Sequence, residues 1–93
     1  MTIINIDISQ RKYYEKFRRD IGRFLFSRRQ KEKYSLAKVA ALTGIKPELL
    51  DRIELGRHNI KTLAIMKLLS LYHSHVIIKF EKKGQEVPTV EIE

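Results

Sequence analysis

The sequence predicts a small, mainly α-helical domain with short terminal β-strands at about 2–8 and 76–82. Apolar residues recur at spacings of three and four through the middle of the chain, whereas both ends show strand-like patterns. A length of 93 residues fits one domain over 1–93. We expect a helical core at 10–73, followed by a strand and tail at 76–93.

The first predicted strand lies at 2–8. Ile4, Ile6 and Ile8 alternate with polar residues, which is the period of two expected when one face of a strand is buried. An isolated strand is only marginally stable, so this segment needs a partner strand.

The second predicted strand lies at 76–82, where the residues are mostly β-branched or aromatic. The residues from 87 to 92 form either a weak strand or a disordered tail, and Pro88 is incompatible with a central strand. The simplest arrangement pairs 2–8 with 76–82, either within one chain or across a dimer.

Helical periodicity and capping signals define four helices between these strands. Ser9 is a candidate cap for the first helix and Ser35 for the second. Gly44 suits the left-handed residue that ends the second helix, and Pro47 suits the first turn of the third. The predicted spans are 10–31, 36–43, 47–55 and 61–73.

The charge of the chain is strongly positive. There are 19 Lys and Arg residues against 11 Asp and Glu, a net charge of +8. Ten of the basic residues lie within 1–35, whereas 84–93 holds three acids and no base. This balance favours a polyanionic partner: nucleic acid, an acidic membrane surface or an acidic protein. A well-solvated basic surface without such a partner explains the composition equally well.

Several function classes are disfavoured by what the sequence lacks. Without cysteine there is no disulfide, thiolate metal site or cysteine nucleophile, which fits a cytoplasmic location. Neither a secretory signal nor an apolar stretch of membrane-spanning length is present, so we expect no membrane association. His73 and His75 have no companion ligands, so no metal site is expected. No catalytic constellation or cofactor-binding loop is visible, so we expect neither an enzyme nor a cofactor.

The most informative stretch runs from 35 to 55, where two short helices are separated by a tight turn at Gly44. The turn is followed by Ile45, an apolar residue placed to plug the space beneath both helices. This is the mechanical pattern of a helix-turn-helix, in which the first helix braces a second that enters the DNA major groove. Its predicted apolar framework is Ala40, Ile45, Leu50 and Ile53.

A family resemblance covers about 21–72. It is carried by Ser35, Leu36, Ala37, Val39, Ala40, Thr43, Gly44, Ile45, Leu50, Ile53, Glu54, Gly56, Asn59, Lys67 and Leu68. With these residues at this spacing, the chain resembles the Cro/cI-like (Xre) family of helix-turn-helix proteins. The resemblance implies a five-helix, lambda-repressor-like fold and a sequence-specific regulator of transcription that binds double-stranded DNA.

The expected mode of action is that of a dimeric repressor. Two-fold dimers match palindromic operators, and a chain this small leaves little surface for contacting a polymerase. A core helix followed by a strand is also similar to antitoxin-type members of the family. The alternative is therefore an antitoxin-type module whose main partner is a toxin protein, with DNA binding secondary.

Lys46, Glu48 and Arg52 are expected on the exposed face of the reading helix. Arg52 is the best candidate for a bidentate contact with guanine. An i,i+4 ion pair between Glu48 and Arg52 is an equally good interpretation of that side chain.

The remaining candidate DNA contacts lie outside the reading helix. Arg57, His58 and Asn59 follow Gly56, in the loop where family members touch the DNA backbone. Asn59 is equally well explained as a local turn or a cap for the next helix. The last two candidates are Ser35 and Lys38, at the start of the bracing helix, where N–H groups and a cation suit phosphate.

The reading face departs from the family pattern. Lys46, Pro47 and Glu48 stand where neutral polar readers are common, and Asp51 adds a second acid. An acid can accept from cytosine, but near phosphates it repels.

Glu54 matches a family acid that ties the end of the reading helix to a basic residue of the first helix. Arg28 or Arg29 is its expected partner, in a structural role. The basic face of the first helix extends the positive surface, either as part of a DNA footprint or as a solvated face. Its members are Arg18, Arg19, Arg23, Arg28 and Arg29.

Overall fold

The computed structural model describes residues 2–9, 12–82 and 85–92. These ranges contain four α-helices and three β-strands. In chain order they are β1 (Thr2–Asp7), α1 (Tyr13–Lys31), α2 (Leu36–Thr43), α3 (Pro47–Glu54), α4 (Thr62–Leu71), β2 (Val76–Lys82) and β3 (Gln85–Ile92).

The strands form one sheet in the order β1-β2-β3. β1 pairs with β2 in parallel, from Thr2 opposite Val76 to Asp7 opposite Glu81, and β3 pairs with β2 antiparallel. The expected pairing of the two terminal strands is thus confirmed, and it takes place within one chain. β3 is an edge strand, which is where the Pro88 backbone, lacking an N–H, is tolerated.

One face of the sheet packs against the helices. Ile4 and Ile6 of β1 and Val76 and Ile78 of β2 are buried, whereas Ile3 is half exposed on the opposite side of β1. The alternation of buried and exposed residues that the sequence predicts for the first strand is therefore confirmed in β1. The helices contribute most of the other buried apolar residues: Ile21, Leu25, Val39, Leu50, Ile53, Ile65, Leu68 and Leu69. Tyr72 at the C-terminal end of α4 and Ile45 in the turn between α2 and α3 are buried with them.

α1 and α3 approach closely at Gly22. A Cβ atom at this position would lie 2.3 Å from the Ile53 carbonyl oxygen and 2.8 Å from that of Glu54. The backbones can come together this closely only because Gly22 has no side chain. The absence of a side chain at Gly22 therefore determines how close α3 lies to α1.

The expectation of five helices is not met, because the described residues contain four. α4 ends where His73 adopts a positive φ of 49° and the Ser74 N–H donates to the Leu69 carbonyl at 2.9 Å. The β-branched run from Val76 then pairs with β1 and β3. This run is the strand that the sequence predicts at 76–82, and its β-branched and aromatic residues favour that conformation.

The first helix begins later than the predicted residue 10. α1 starts at Tyr13, preceded by Lys12 in a left-handed conformation without a side-chain cap, while residues 10 and 11 lie outside the described ranges. The prediction that Ser9 caps this helix is wrong. Both its N–H (2.9 Å) and its hydroxyl (2.5 Å) donate to Asp7 Oδ1, so Ser9 closes a turn at the end of β1 instead.

Candidate nucleic-acid interface

The turn between α2 and α3 is held by its own hydrogen bonds. Gly44 has a φ of 76°, and its N–H donates to the Ala40 carbonyl at 2.8 Å. The Thr43 hydroxyl donates to the Val39 carbonyl at 2.7 Å and accepts from the Ile45 N–H at 3.2 Å. With Ile45 buried beneath the turn, the direction in which α3 leaves α2 is set before Pro47 starts the helix.

The start of α2 is exposed and capped as predicted. Ser35 has an extended backbone, and its hydroxyl accepts from the Lys38 N–H at 3.0 Å. The side chains of Ser35 and Lys38 are both exposed. The N–H groups in the first turn of an α-helix have no carbonyl partner within the helix, and they carry partial positive charge.

α3 has one buried and one exposed face. Leu50 and Ile53 are buried in the core, whereas Glu48, Asp51 and Arg52 are exposed. Lys46, the residue before the first turn, is also exposed. The structure therefore places the predicted reading residues on one free surface of an otherwise anchored helix.

The alternative pairing of Arg52 is not formed. Among the residues that the structure describes, no ion pair joins Arg52 to Glu48, although the two are four residues apart on the same helix. The Arg52 guanidinium is thus not engaged by the nearest acid of its own helix.

The C-terminal end of α3 is tied to α1. Arg29 donates from Nε to Glu54 Oε2 at 2.8 Å and from NH2 to Oε1 at 2.9 Å. Both side chains are largely buried, at 11% and 6% exposure. Hydrogen bonding to the Glu54 carboxylate, opposed by burial, leaves the pKa of Arg29 above its ordinary value. The predicted role of Glu54 is confirmed, with Arg29 as its partner.

The loop of residues 57–59 is pressed against α1. Gly56 has a φ of 72°, and a Cβ there would lie 2.9 Å from the Arg19 Cα. Arg57 and Asn59 are exposed and His58 is half-buried. The Asn59 side chain does not cap α4, because the N-cap is Lys61 and it has no side-chain hydrogen bond. Instead, Asn59 Oδ1 accepts from Arg18 NH1 at 2.8 Å.

The predicted site residues therefore fall into three neighbouring segments: the start of α2, the exposed face of α3, and the 57–59 loop. Sequence reasoning placed Arg18 only on a general basic face and missed its contact with Asn59. The two residues are 41 positions apart. No local pattern links residues so distant, and only the packing of the loop on α1 brings them together.

Two further properties bear on what the site can do. In the part of the chain that the structure describes, no group of three His, Asp or Glu side chains is arranged to hold a metal ion. Within the same residues, no helix combines the length and apolar character needed to cross a membrane. The arrangement offers exposed hydrogen-bond donors and cations on a rigid helical frame.

Searches against protein-family profiles, curated proteins and solved structures found no match to this chain. The comparisons therefore assign no functional class to this surface.

Proposed function

We propose that the chain is a sequence-specific regulator of transcription that binds double-stranded DNA through a helix-turn-helix formed by α2 and α3. The observation that carries the proposal is the way α3 is held. Leu50 and Ile53 are buried, the Glu54–Arg29 pair anchors the helix end, and the opposite face is open. A helix fastened in this way can enter a groove without losing its packing.

The dimensions of α3 suit the DNA major groove. An α-helix with its side chains is about 10–12 Å in diameter, and the major groove is about 12 Å wide. In this role Arg52 donates to a guanine edge, Lys46 donates to a base or a phosphate, and Glu48 accepts from a cytosine amino group at the N-terminal end of α3. The resemblance to the Cro/cI-like (Xre) family supports the same assignment of roles.

The surroundings of α3 supply contacts to phosphate. Lys38 lies at the exposed start of α2, and Arg57 lies in the loop that follows α3. Ser35 orders the first turn of α2, whose free N–H groups suit an anion. These groups position α3 on the duplex, and the net charge of +8 attracts the chain to any DNA.

We propose further that the regulator acts as a homodimer and a repressor. A two-fold dimer places two α3 helices on successive turns of one face of the duplex, about 34–36 Å apart. Pairing of β1 with β2 within one chain means that dimerisation does not require exchange of these strands. Repression needs only occupancy of the operator, which a chain of 93 residues can provide.

The direct test is selection of preferred sites from a random pool of DNA duplexes. A palindromic consensus with half-sites about one helical turn apart is expected. Affinity for that site should fall steeply with salt and exceed the affinity for mixed-sequence DNA. Enrichment of no sequence, with equal affinity for all duplexes, would contradict sequence-specific regulation.

A second candidate function is that of an antitoxin-type module that binds a toxin protein. The observation that favours it is the exposure of Glu48 and Asp51 on α3, since acids close to phosphates weaken DNA binding. Co-expression with the product of an adjacent gene tests it. A stoichiometric complex that neutralises a toxic product supports this function, whereas operator binding at nanomolar concentration by the isolated chain argues that DNA is the primary partner.

A further inference from the structure

We propose that Arg18 of α1 and Asn59 of the 57–59 loop together form a binding site for one phosphate of the DNA backbone. The inference rests on the proposed DNA-binding function. It adds to that function a residue outside the helix-turn-helix and a specific ligand group. Three features of the structure carry it.

The first feature is the hydrogen bond between the two side chains. Arg18 NH1 donates to Asn59 Oδ1 at 2.8 Å. Because Oδ1 is the acceptor, both N–H groups of the Asn59 amide remain as donors, and no described residue accepts from them. The exposed amide donors thus lie next to a guanidinium that carries further N–H groups.

The second feature is that the Arg18 side chain is oriented but not neutralised. Its guanidinium carbon lies 5.3 Å from the centre of the Tyr14 ring, so one face of the group is covered. No described carboxylate forms an ion pair with Arg18, and its Nε is buried without a hydrogen-bond partner. The Arg18 guanidinium is thus fixed in position and still has N–H groups that donate to no described residue. Such a group suits a ligand that has several oxygen atoms and a negative charge.

The third feature is the position of the pair beside α3. Gly56 lies against the backbone of Arg19, and the Arg57 N–H donates to the Arg52 carbonyl at 2.9 Å. The loop therefore leaves the end of α3 and runs directly onto α1 next to Arg18. When α3 occupies a major groove, the anion nearest to such a flanking position is a backbone phosphate.

The experiment compares three variants on the palindromic duplex selected above and on a mixed-sequence duplex. Asn59→Asp keeps the oxygen that accepts from Arg18 but replaces the amide donors with an oxygen that repels phosphate. Arg18→Gln removes one positive charge from the site. Lys79→Gln removes one charge from an exposed position on β2, next to buried Ile78 and so on the sheet face turned away from the helices.

Asn59→Asp is expected to retain the thermal stability of the wild type while its affinity for both duplexes falls roughly tenfold or more. Affinity falls as salt is added, and Arg18→Gln should make this fall less steep: the magnitude of the slope of log affinity against log salt should decrease by about 1 per protomer. The preference for the palindrome should be unchanged. Lys79→Gln should change neither stability nor slope appreciably.

Wild-type affinity and salt slope in folded Asn59→Asp and Arg18→Gln proteins would overturn the phosphate site and leave the proposed function standing. An effect of Asn59→Asp confined to binding of a protein partner would also overturn the phosphate site. If the wild-type chain binds no duplex at any salt concentration, both the proposed function and this inference are overturned.

Discussion

Arg29 and Glu54 form a two-pronged ion pair that joins the last turn of α1 to the last residue of α3. The same guanidinium donates from NH1 to the Tyr34 carbonyl at 2.9 Å, in the connection between α1 and α2. One side chain therefore links α1, the α1–α2 connection and the end of α3. The geometry of the α2–α3 unit depends on this link as well as on apolar packing.

Removing one member of this pair should destabilise the protein strongly. Glu54→Ala leaves the Arg29 charge largely buried without its partner, so we expect the free energy of unfolding in urea to fall by about 3–5 kcal/mol. Asp20→Ala, which breaks the more exposed Lys16–Asp20 pair, is the control and should cost about 1 kcal/mol or less. If both variants lose a similar, small amount of unfolding free energy, the buried pair stabilises the protein no more than the exposed pair does.

Gly22→Ala is expected to destabilise the fold although alanine favours helices. Intrinsic propensity alone predicts a gain of about 1 kcal/mol at this position in α1. The new Cβ would instead meet the backbone oxygens of Ile53 and Glu54, which cannot move aside without displacing α3. A loss of at least about 1–3 kcal/mol in thermal or urea unfolding is therefore expected. An unchanged or raised melting temperature would show that α1 and α3 are further apart than described.

Alkaline pH should destabilise the protein through Tyr72. Burial, aided by the negative charge of Glu54, raises the pKa of Tyr72 to about 12. An unfolded tyrosine titrates near pH 10, so above about pH 10 the unfolded state releases a proton that the folded state retains. Stability is therefore complete below about pH 10 and declines as the pH rises towards about 12.

The Tyr72→Phe variant isolates this effect. Between about pH 9 and 12 the wild type should lose about 2–3 kcal/mol relative to Tyr72→Phe in urea unfolding. Tyr13→Phe, which removes the hydroxyl of a more exposed tyrosine, is the matched control variant. Parallel pH profiles for wild type and Tyr72→Phe would contradict a raised pKa of Tyr72 in the folded state.

Arg52→Ala should reduce discrimination between sequences. Arg52 is exposed on α3 and unpaired with Glu48, so its guanidinium is free to donate to a guanine. We expect a loss of about 1–3 kcal/mol on the selected duplex, located at one base pair of each half-site, in a competition binding assay. Equal losses on selected and mixed-sequence duplexes would assign Arg52 to a phosphate contact instead.

Asp51→Asn should tighten DNA binding. Asp51 is exposed one turn from the N-terminus of α3, where its charge opposes approach to phosphates. The variant should bind mixed-sequence DNA several-fold more tightly at low salt, and the difference should shrink as salt is added. Weaker binding to the selected duplex alone would indicate that Asp51 accepts from a cytosine in the operator.

Much of the helical frame could be predicted from the sequence because its signals are local. Ser35 has the hydroxyl that caps α2, Gly44 adopts the positive φ that ends it, and Pro47 occupies the first turn of α3. Each of these effects acts within a few residues, so it is visible in the order of residue types. The alternation in β1 belongs to the same class, since it reflects burial of one face.

The features that the sequence did not determine depend on residues far apart in the chain. The sequence left open whether β1 pairs with β2 of its own chain or of a second copy, and the fold places this pairing within one chain. The close approach at Gly22 likewise exists only once α3 lies on α1.

In the candidate interface, too, some features follow from local sequence and others only from tertiary packing. The residue types on α3 and in the 57–59 loop, and their exposure, follow from helical periodicity and turn signals that the sequence contains. The tertiary structure alone decided that Arg29 rather than Arg28 holds Glu54, and that Arg18 bonds to Asn59. Which side chains form a pair depends on the distance between them and on their relative orientation once the helices have packed. The spacing of residues along the chain determines neither.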